Sequence, residues 1–90
     1  MPTGLTNDQM DYYVYVLRSD KFERNYVGFT KDVSERIKQH NSGKTRSTRP
    51  YRPWRLLVSE RFETKELALA REKFLKTGQG RDYIKKILAS

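Results

Sequence analysis

Cysteine is absent from the 90 residues, and histidine occurs once. The first absence excludes a disulfide framework, a thiol nucleophile and a thiolate-held zinc; the second excludes a multi-histidine zinc site. Acidic residues are scattered, so nothing resembles the cluster that holds two metal ions about 4 Å apart. A glycine-rich phosphate loop and a serine nucleophile elbow are both missing. No apolar run approaches the roughly 18 residues of a membrane span. Residues 1–10 lack the basic start and apolar middle of a signal peptide. A cytoplasmic protein is expected, nucleoid-associated if bacterial. Residues 1–10 are expected to be a flexible tail, and 11–90 one domain with a small core.

What is present is positive charge. The net charge is +8, and an excess of that size in a small domain points to an anionic partner. It is also concentrated. Between Arg36 and Val58 stand Arg36, Lys38, Lys44, Arg46, Arg49, Arg52 and Arg55, with no Asp or Glu. A surface built only for solubility would intersperse the two signs; a clustered excess is the footprint of nucleic-acid binding. Aromatic residues make up 12% of the chain, enough to fold a core and unlike a disordered segment.

Residues 12–17 (Tyr-Tyr-Val-Tyr-Val-Leu) are apolar or aromatic on both faces of a strand, which predicts a central position in a sheet. Residues 26–30 are close enough to pair with them as an antiparallel hairpin. Gly28 lies inside that second strand, where glycine costs roughly 0.5–1 kcal/mol relative to alanine, so something is expected to approach the backbone there. Asp32 with Glu35 has capping-box spacing and predicts a helix over 33–41, closed by Ser42-Gly43. Its inward stripe is unusual: Arg36 and His40 fall beside Val33 and Ile37. Buried polar groups require partners or a cleft.

Residues 43–53 form a basic loop containing Lys44, Arg46, Arg49 and Arg52 with several hydroxyls, the usual phosphate contacts. Tyr51 and Trp54 read as packing residues, although Tyr51 is placed to stack a base. A third strand is predicted over 54–62, with Trp54, Leu56 and Val58 on one side. Thr64 caps a second helix to about residue 76. Leu67, Ala70, Phe74 and Leu75 are its expected core face, and Glu72 is on the shoulder. Gly78 and Gly80 are expected to break the chain before a short last helix carrying Tyr83, Ile84, Ile87 and Leu88. The order β-β-α-β-α-α predicts an α+β domain around a small three-stranded antiparallel sheet.

Tyrosine, arginine, one histidine and one distant carboxylate are suited to phosphodiester hydrolysis. Arginine presents a fork matched to phosphate oxygens. One carboxylate with several waters suits Mg²⁺. A phenol with an ordinary pKa of about 10 needs help to act as a base.

Tyr13-Val14-Tyr15, followed about ten residues later by Tyr26-Val27-Gly28, resembles the two signature tripeptides of the GIY-YIG nuclease family. The helix with Arg36 and His40 and the later Glu72 strengthen the likeness, which spans residues 12–88. It is most similar to small single-domain members related to the nuclease domain of the repair protein UvrC. One departure is Tyr13, where the family's first tripeptide carries glycine. The family's late asparagine has no evident counterpart.

The resemblance implies a DNA endonuclease using one Mg²⁺ or Mn²⁺ ion. By position, Tyr15 is the implied general base, and Tyr26 supports it. Lys31 is implied to lower a phenol pKa, Arg36 to hold the scissile phosphate and His40 to assist proton transfer. Glu72 is the implied metal ligand. Two further readings stay open: a nucleic-acid-binding module without catalysis, and an accessory domain active only with a partner protein. DNA is the expected partner, with RNA open, no membrane contact, and oligomeric state undetermined.

Overall fold

The computed structural model of the protein describes residues 11–90; the expected tail, 1–10, lies outside the described residues. β1 (Tyr12–Ser19) is the middle strand, flanked by β2 (Arg24–Thr30) and β3 (Arg55–Phe62) in the order β2-β1-β3. Both pairings are antiparallel. The two-sided apolar pattern of β1 accounts for its place, because both its faces are covered. Tyr15 lies opposite Gly28, and Leu17 opposite Tyr26. These four therefore share one face, and Val14, Val16, Val27 and Phe29 share the other.

Helix α1 (Val33–Ser42) follows the hairpin. The Asp32 side chain accepts from the Glu35 amide at 3.0 Å, and Gly43 ends the helix at a φ of 87°, which favours glycine. A short 3₁₀ turn, Arg49–Tyr51, leads into β3. Helices α2 (Lys65–Leu75) and α3 (Gly78–Ala89) complete the chain. The order β-β-α-β-α-α and the α+β class are as the sequence predicts. Both hairpin strands run two residues further at the turn than expected, and Ser19 Oγ donates to the Tyr51 carbonyl at 2.6 Å.

Three local expectations are corrected. Trp54, Leu56 and Val58 do not share a side. The register along β1 jumps from Val58 opposite Val16 to Leu56 opposite Leu17. The irregularity breaks the alternation. Leu57 and Val58 pack in one cluster, Trp54 in another, and Leu56 is exposed.

The core stripe of α2 is rotated from the expected one. Ala68 and Leu75 are buried, whereas Leu67 and Ala70 are exposed. Glu72, four residues after Ala68, therefore stands on the inward side. A stripe containing a carboxylate cannot be recognised by hydrophobic period alone.

Gly78 and Gly80 do not interrupt the chain; they form the first turn of α3. Thr77 caps it by accepting from the Gly80 amide at 3.2 Å. A Cβ at Gly80 would collide with the Phe74 carbonyl oxygen and the Leu75 backbone. The glycine is kept by the close approach of α3 to the end of α2.

Candidate active site

Tyr15 projects from the central strand and is fully buried. Its ring crosses Gly28 on β2: a Cβ there would clash with Tyr15 Oη and stand 2.5 Å from Cζ. The group that approaches the Gly28 backbone is thus the phenol itself.

Two residues of α1 converge on Tyr15 Oη. His40 Nε2 lies at 3.0 Å, and Arg36 Nε donates from 3.4 Å. They are four residues apart on one helical face, which brings both to the same atom. Arg36 Nη1 also donates to Gln39 Oε1 at 2.9 Å. The Tyr26 ring packs 4.8 Å from the His40 ring, between centroids, and 6.2 Å from that of Tyr15. Trp54 completes this wall, 6.4 Å from Tyr26.

His40 is fully buried, and its other nitrogen, Nδ1, meets Thr48 Oγ1 at 2.8 Å. Thr48 is itself buried, and its backbone carbonyl accepts from Trp54 Nε1 at 2.9 Å. Asn41, beside His40, clasps the Trp54 backbone by donating to its carbonyl at 2.9 Å and accepting from its amide at 2.7 Å. The basic loop is thereby fastened over the histidine. Thr48 and Asn41 were not singled out from sequence. Thr48 stood among several loop hydroxyls, and no periodic pattern separates the buried one.

The electrostatics follow from burial. The Tyr15 phenol is pushed above its ordinary pKa, chiefly by burial; the Arg36 hydrogen bond acts against this, and nearby Tyr26 and Glu72 raise it further. Burial, then the positive charge of Arg36, holds His40 below the usual imidazole range. The pair is therefore a neutral phenol facing a neutral imidazole at neutral pH. The Glu72 charge on α2 is thus felt at Tyr15.

Glu72 is half-buried and paired with Lys76 Nζ at 3.2 Å. Among the described residues no group of three or more His, Asp or Glu side chains gathers to hold a metal. A single carboxylate fits a hydrated Mg²⁺ and does not fit an all-protein cage.

Lys31 is not drawn into this cluster. It is exposed, and its Nζ lies 5.4 Å from the Tyr12 ring centroid. Lys44, Arg46, Arg49 and Arg52 are all exposed. Arg49 Nε donates to the Gly43 carbonyl at 2.8 Å, and Arg52 Nε to the Arg49 carbonyl at 2.9 Å, so these two also brace the loop. Tyr51 packs in the core, with the Arg24 guanidinium 4.1 Å above its ring. No helix among the described residues is long and apolar enough to cross a membrane.

Known proteins are similar to this chain. A UPF0213 protein of Staphylococcus saprophyticus is 39% identical over 67 residues, covering 73% of this chain and 80% of the relative. One of Natronomonas pharaonis is 40% identical over 68 residues, covering 74% and 79%. The solution structure of a UPF0213 protein from Bacillus halodurans superposes with a TM-score of 0.53 at 34% identity, over 87% of this chain and 85% of that one. The GIY-YIG catalytic domain matches residues 11–85, and the chain belongs to that family.

Proposed function

We propose that the protein is a metal-dependent endonuclease that hydrolyses a DNA phosphodiester, with Tyr15 and His40 acting together as the base. The observation that carries this reading is the buried Tyr15–His40 contact at 3.0 Å with Arg36 on the same phenol oxygen. A raised phenol pKa rules against a standing phenolate. It suits a relay: as water attacks phosphorus and the bond to the departing sugar oxygen breaks, the water proton passes to Tyr15 Oη, the Tyr15 proton passes to His40 Nε2, and the departing oxygen takes a proton from solvent. The imidazole ends as imidazolium, and the phenol is regenerated.

Arg36 presently covers Tyr15 Oη. Its guanidinium carries five donors, so turning toward a bound phosphate would both neutralise the phosphate oxygens and uncover the phenol. Long hydrogen bonds in a substrate-free site commonly rearrange on binding. Tyr26 packs against both partners and holds the imidazole ring in place. Glu72 would hold the Mg²⁺ or Mn²⁺, which supplies neutralisation of the leaving oxygen and a more acidic water; Lys76 would release it. Lys44, Arg46, Arg49 and Arg52 would carry flanking phosphates without reading bases.

The test is cleavage of plasmid, branched and single-stranded DNA with Mg²⁺, Mn²⁺ or EDTA, comparing wild type with Glu72→Ala. Metal-dependent cutting lost in the variant supports the assignment. Salt-sensitive binding with no cutting in any metal moves the reading to a binding module. Cutting only after a partner protein is added moves it to an accessory domain.

A further inference from the structure

The hydrogen-bond chain behind Tyr15 has a direction, and one residue outside the catalytic group sets it. Five atoms stand in series: Arg36 Nε, Tyr15 Oη, the two nitrogens of His40, and Thr48 Oγ1. Thr48 Oγ1 also lies 3.3 Å from the Thr45 carbonyl oxygen. A carbonyl only accepts, so a Thr48 hydroxyl proton directed there leaves only lone pairs to face His40. Thr48 then offers His40 a lone pair alone, and the proton between them belongs to Nδ1. Nε2 is left as an acceptor, and the Tyr15 proton points into it. Arg36 donates to the other side of the phenol oxygen. Every proton in the chain has an acceptor.

The reverse direction fails this count. If Thr48 donated to Nδ1, Nε2 would carry the proton and donate to Tyr15 Oη. Arg36 already donates there, so the phenol oxygen would accept twice. Its own proton would then have no acceptor among the described residues, inside a site from which solvent is excluded. Tyr15 and His40 are both fully buried and Thr48 is 2% exposed, so no water competes for these positions. Leaving a buried donor unpaired is unfavourable.

We propose that Thr48 is a positioning residue that holds His40 in the Nδ1–H tautomer, with Nε2 aimed at the Tyr15 proton. The threonine needs no contact with substrate for this. Its position is fixed independently, because its carbonyl receives Trp54 Nε1 and its amide bonds to the Thr45 carbonyl at 3.2 Å. The loop that carries the basic side chains thus also sets the histidine's acceptor nitrogen. The catalytic consequence rests on the proposed hydrolase reading; the tautomer does not.

The test uses the chain's single histidine, whose ring nitrogens give one unambiguous pair of ¹⁵N resonances. At neutral pH the wild type should show a protonated Nδ1 and an unprotonated Nε2. Thr48→Val removes the hydroxyl at nearly constant shape and should shift the spectrum toward the other tautomer or an average; Thr48→Ser should restore it. A wild-type ring protonated at Nε2 overturns the proposal, as does a Thr48→Val spectrum identical to wild type. Cleavage by Thr48→Val should fall roughly 10- to 100-fold, by analogy with the loss of an outer partner of a metal-bound histidine, with kcat affected more than KM and rescue by serine. The expected tautomer in a protein that cuts nothing would uphold the role of Thr48 and remove the nuclease reading.

Discussion

On one face of the sheet Val14, Val16 and Val27 meet Ala68, Leu75 and Ile84 in an entirely apolar cluster. On the other, Tyr15, Leu17 and Trp54 share the interior with buried His40 and Thr48. The first face gains stability by removing apolar surface from water, about 25 cal/mol per Å². The second depends on pairing every polar atom, because a donor or acceptor left alone costs about 1–3 kcal/mol. The small domain separates the two tasks across a single strand, with alternate residues of β1 serving opposite faces. Substitutions on the two faces should therefore fail in different ways.

The largest effect is expected at Tyr15. Tyr15→Phe keeps the ring over Gly28 and removes only the oxygen that Arg36 and His40 meet. Cleavage should drop by roughly 10²–10⁴-fold, the usual worth of acid–base catalysis. Stability should change by only about 1–3 kcal/mol, read as the urea midpoint. Full activity in Tyr15→Phe would remove the phenol from the mechanism.

Ile84→Ala is the opposite probe. Ile84 is buried in the apolar cluster on α3, and its truncation should cost about 2–5 kcal/mol through lost burial and a cavity. Cleavage per folded molecule, measured well below the new midpoint, should remain close to wild type. A large loss there would show that the faces are coupled.

Acid should act on the polar face. Burial holds His40 below its ordinary pKa of about 6.5. As pH falls through that ordinary value, the unfolded chain takes up a proton that the folded one resists. The stability present above it is then progressively lost until the lower folded pKa is passed. Denaturation midpoints from about pH 7.5 to about pH 5 should fall more steeply for wild type than for His40→Gln. Cleavage should decline in the same direction, since an imidazolium cannot accept the Tyr15 proton. Equal slopes in the two proteins would show that His40 does not titrate differently on folding.

How much of this was legible beforehand depended on which face a residue serves. The strands, their antiparallel pairing and α1 could be read because apolar period and capping chemistry are local. Arg36 and His40 stood out because they broke an apolar stripe. On α2 the same logic misled: Glu72 occupies an inward position, so the period appeared rotated onto Leu67 and Ala70. Gly78 and Gly80 looked like breakers because sequence alone does not show how closely α3 approaches the end of α2. Thr48 was hidden for another reason. Its partner is fixed by the folding of a loop over α1, and no spacing rule connects residues 40 and 48.

The smallest expected effect lies on the rim of the polar face and bears on how the loop divides its work. Arg46 is exposed, whereas Arg49 also holds the Gly43 carbonyl through Nε. Arg46→Gln should weaken DNA binding similarly across sequences and lower the salt slope by about 1 if the side chain meets one phosphate. Stability should be unchanged. Arg49→Gln should show the same electrostatic change plus a loosened loop, and therefore a disturbed His40 signal through Thr48. Titrations in EDTA, free of cleavage, separate the two. If Arg46→Gln disturbed His40 as much as Arg49→Gln does, the loop could not be divided into residues that brace it and residues that only meet the polyanion.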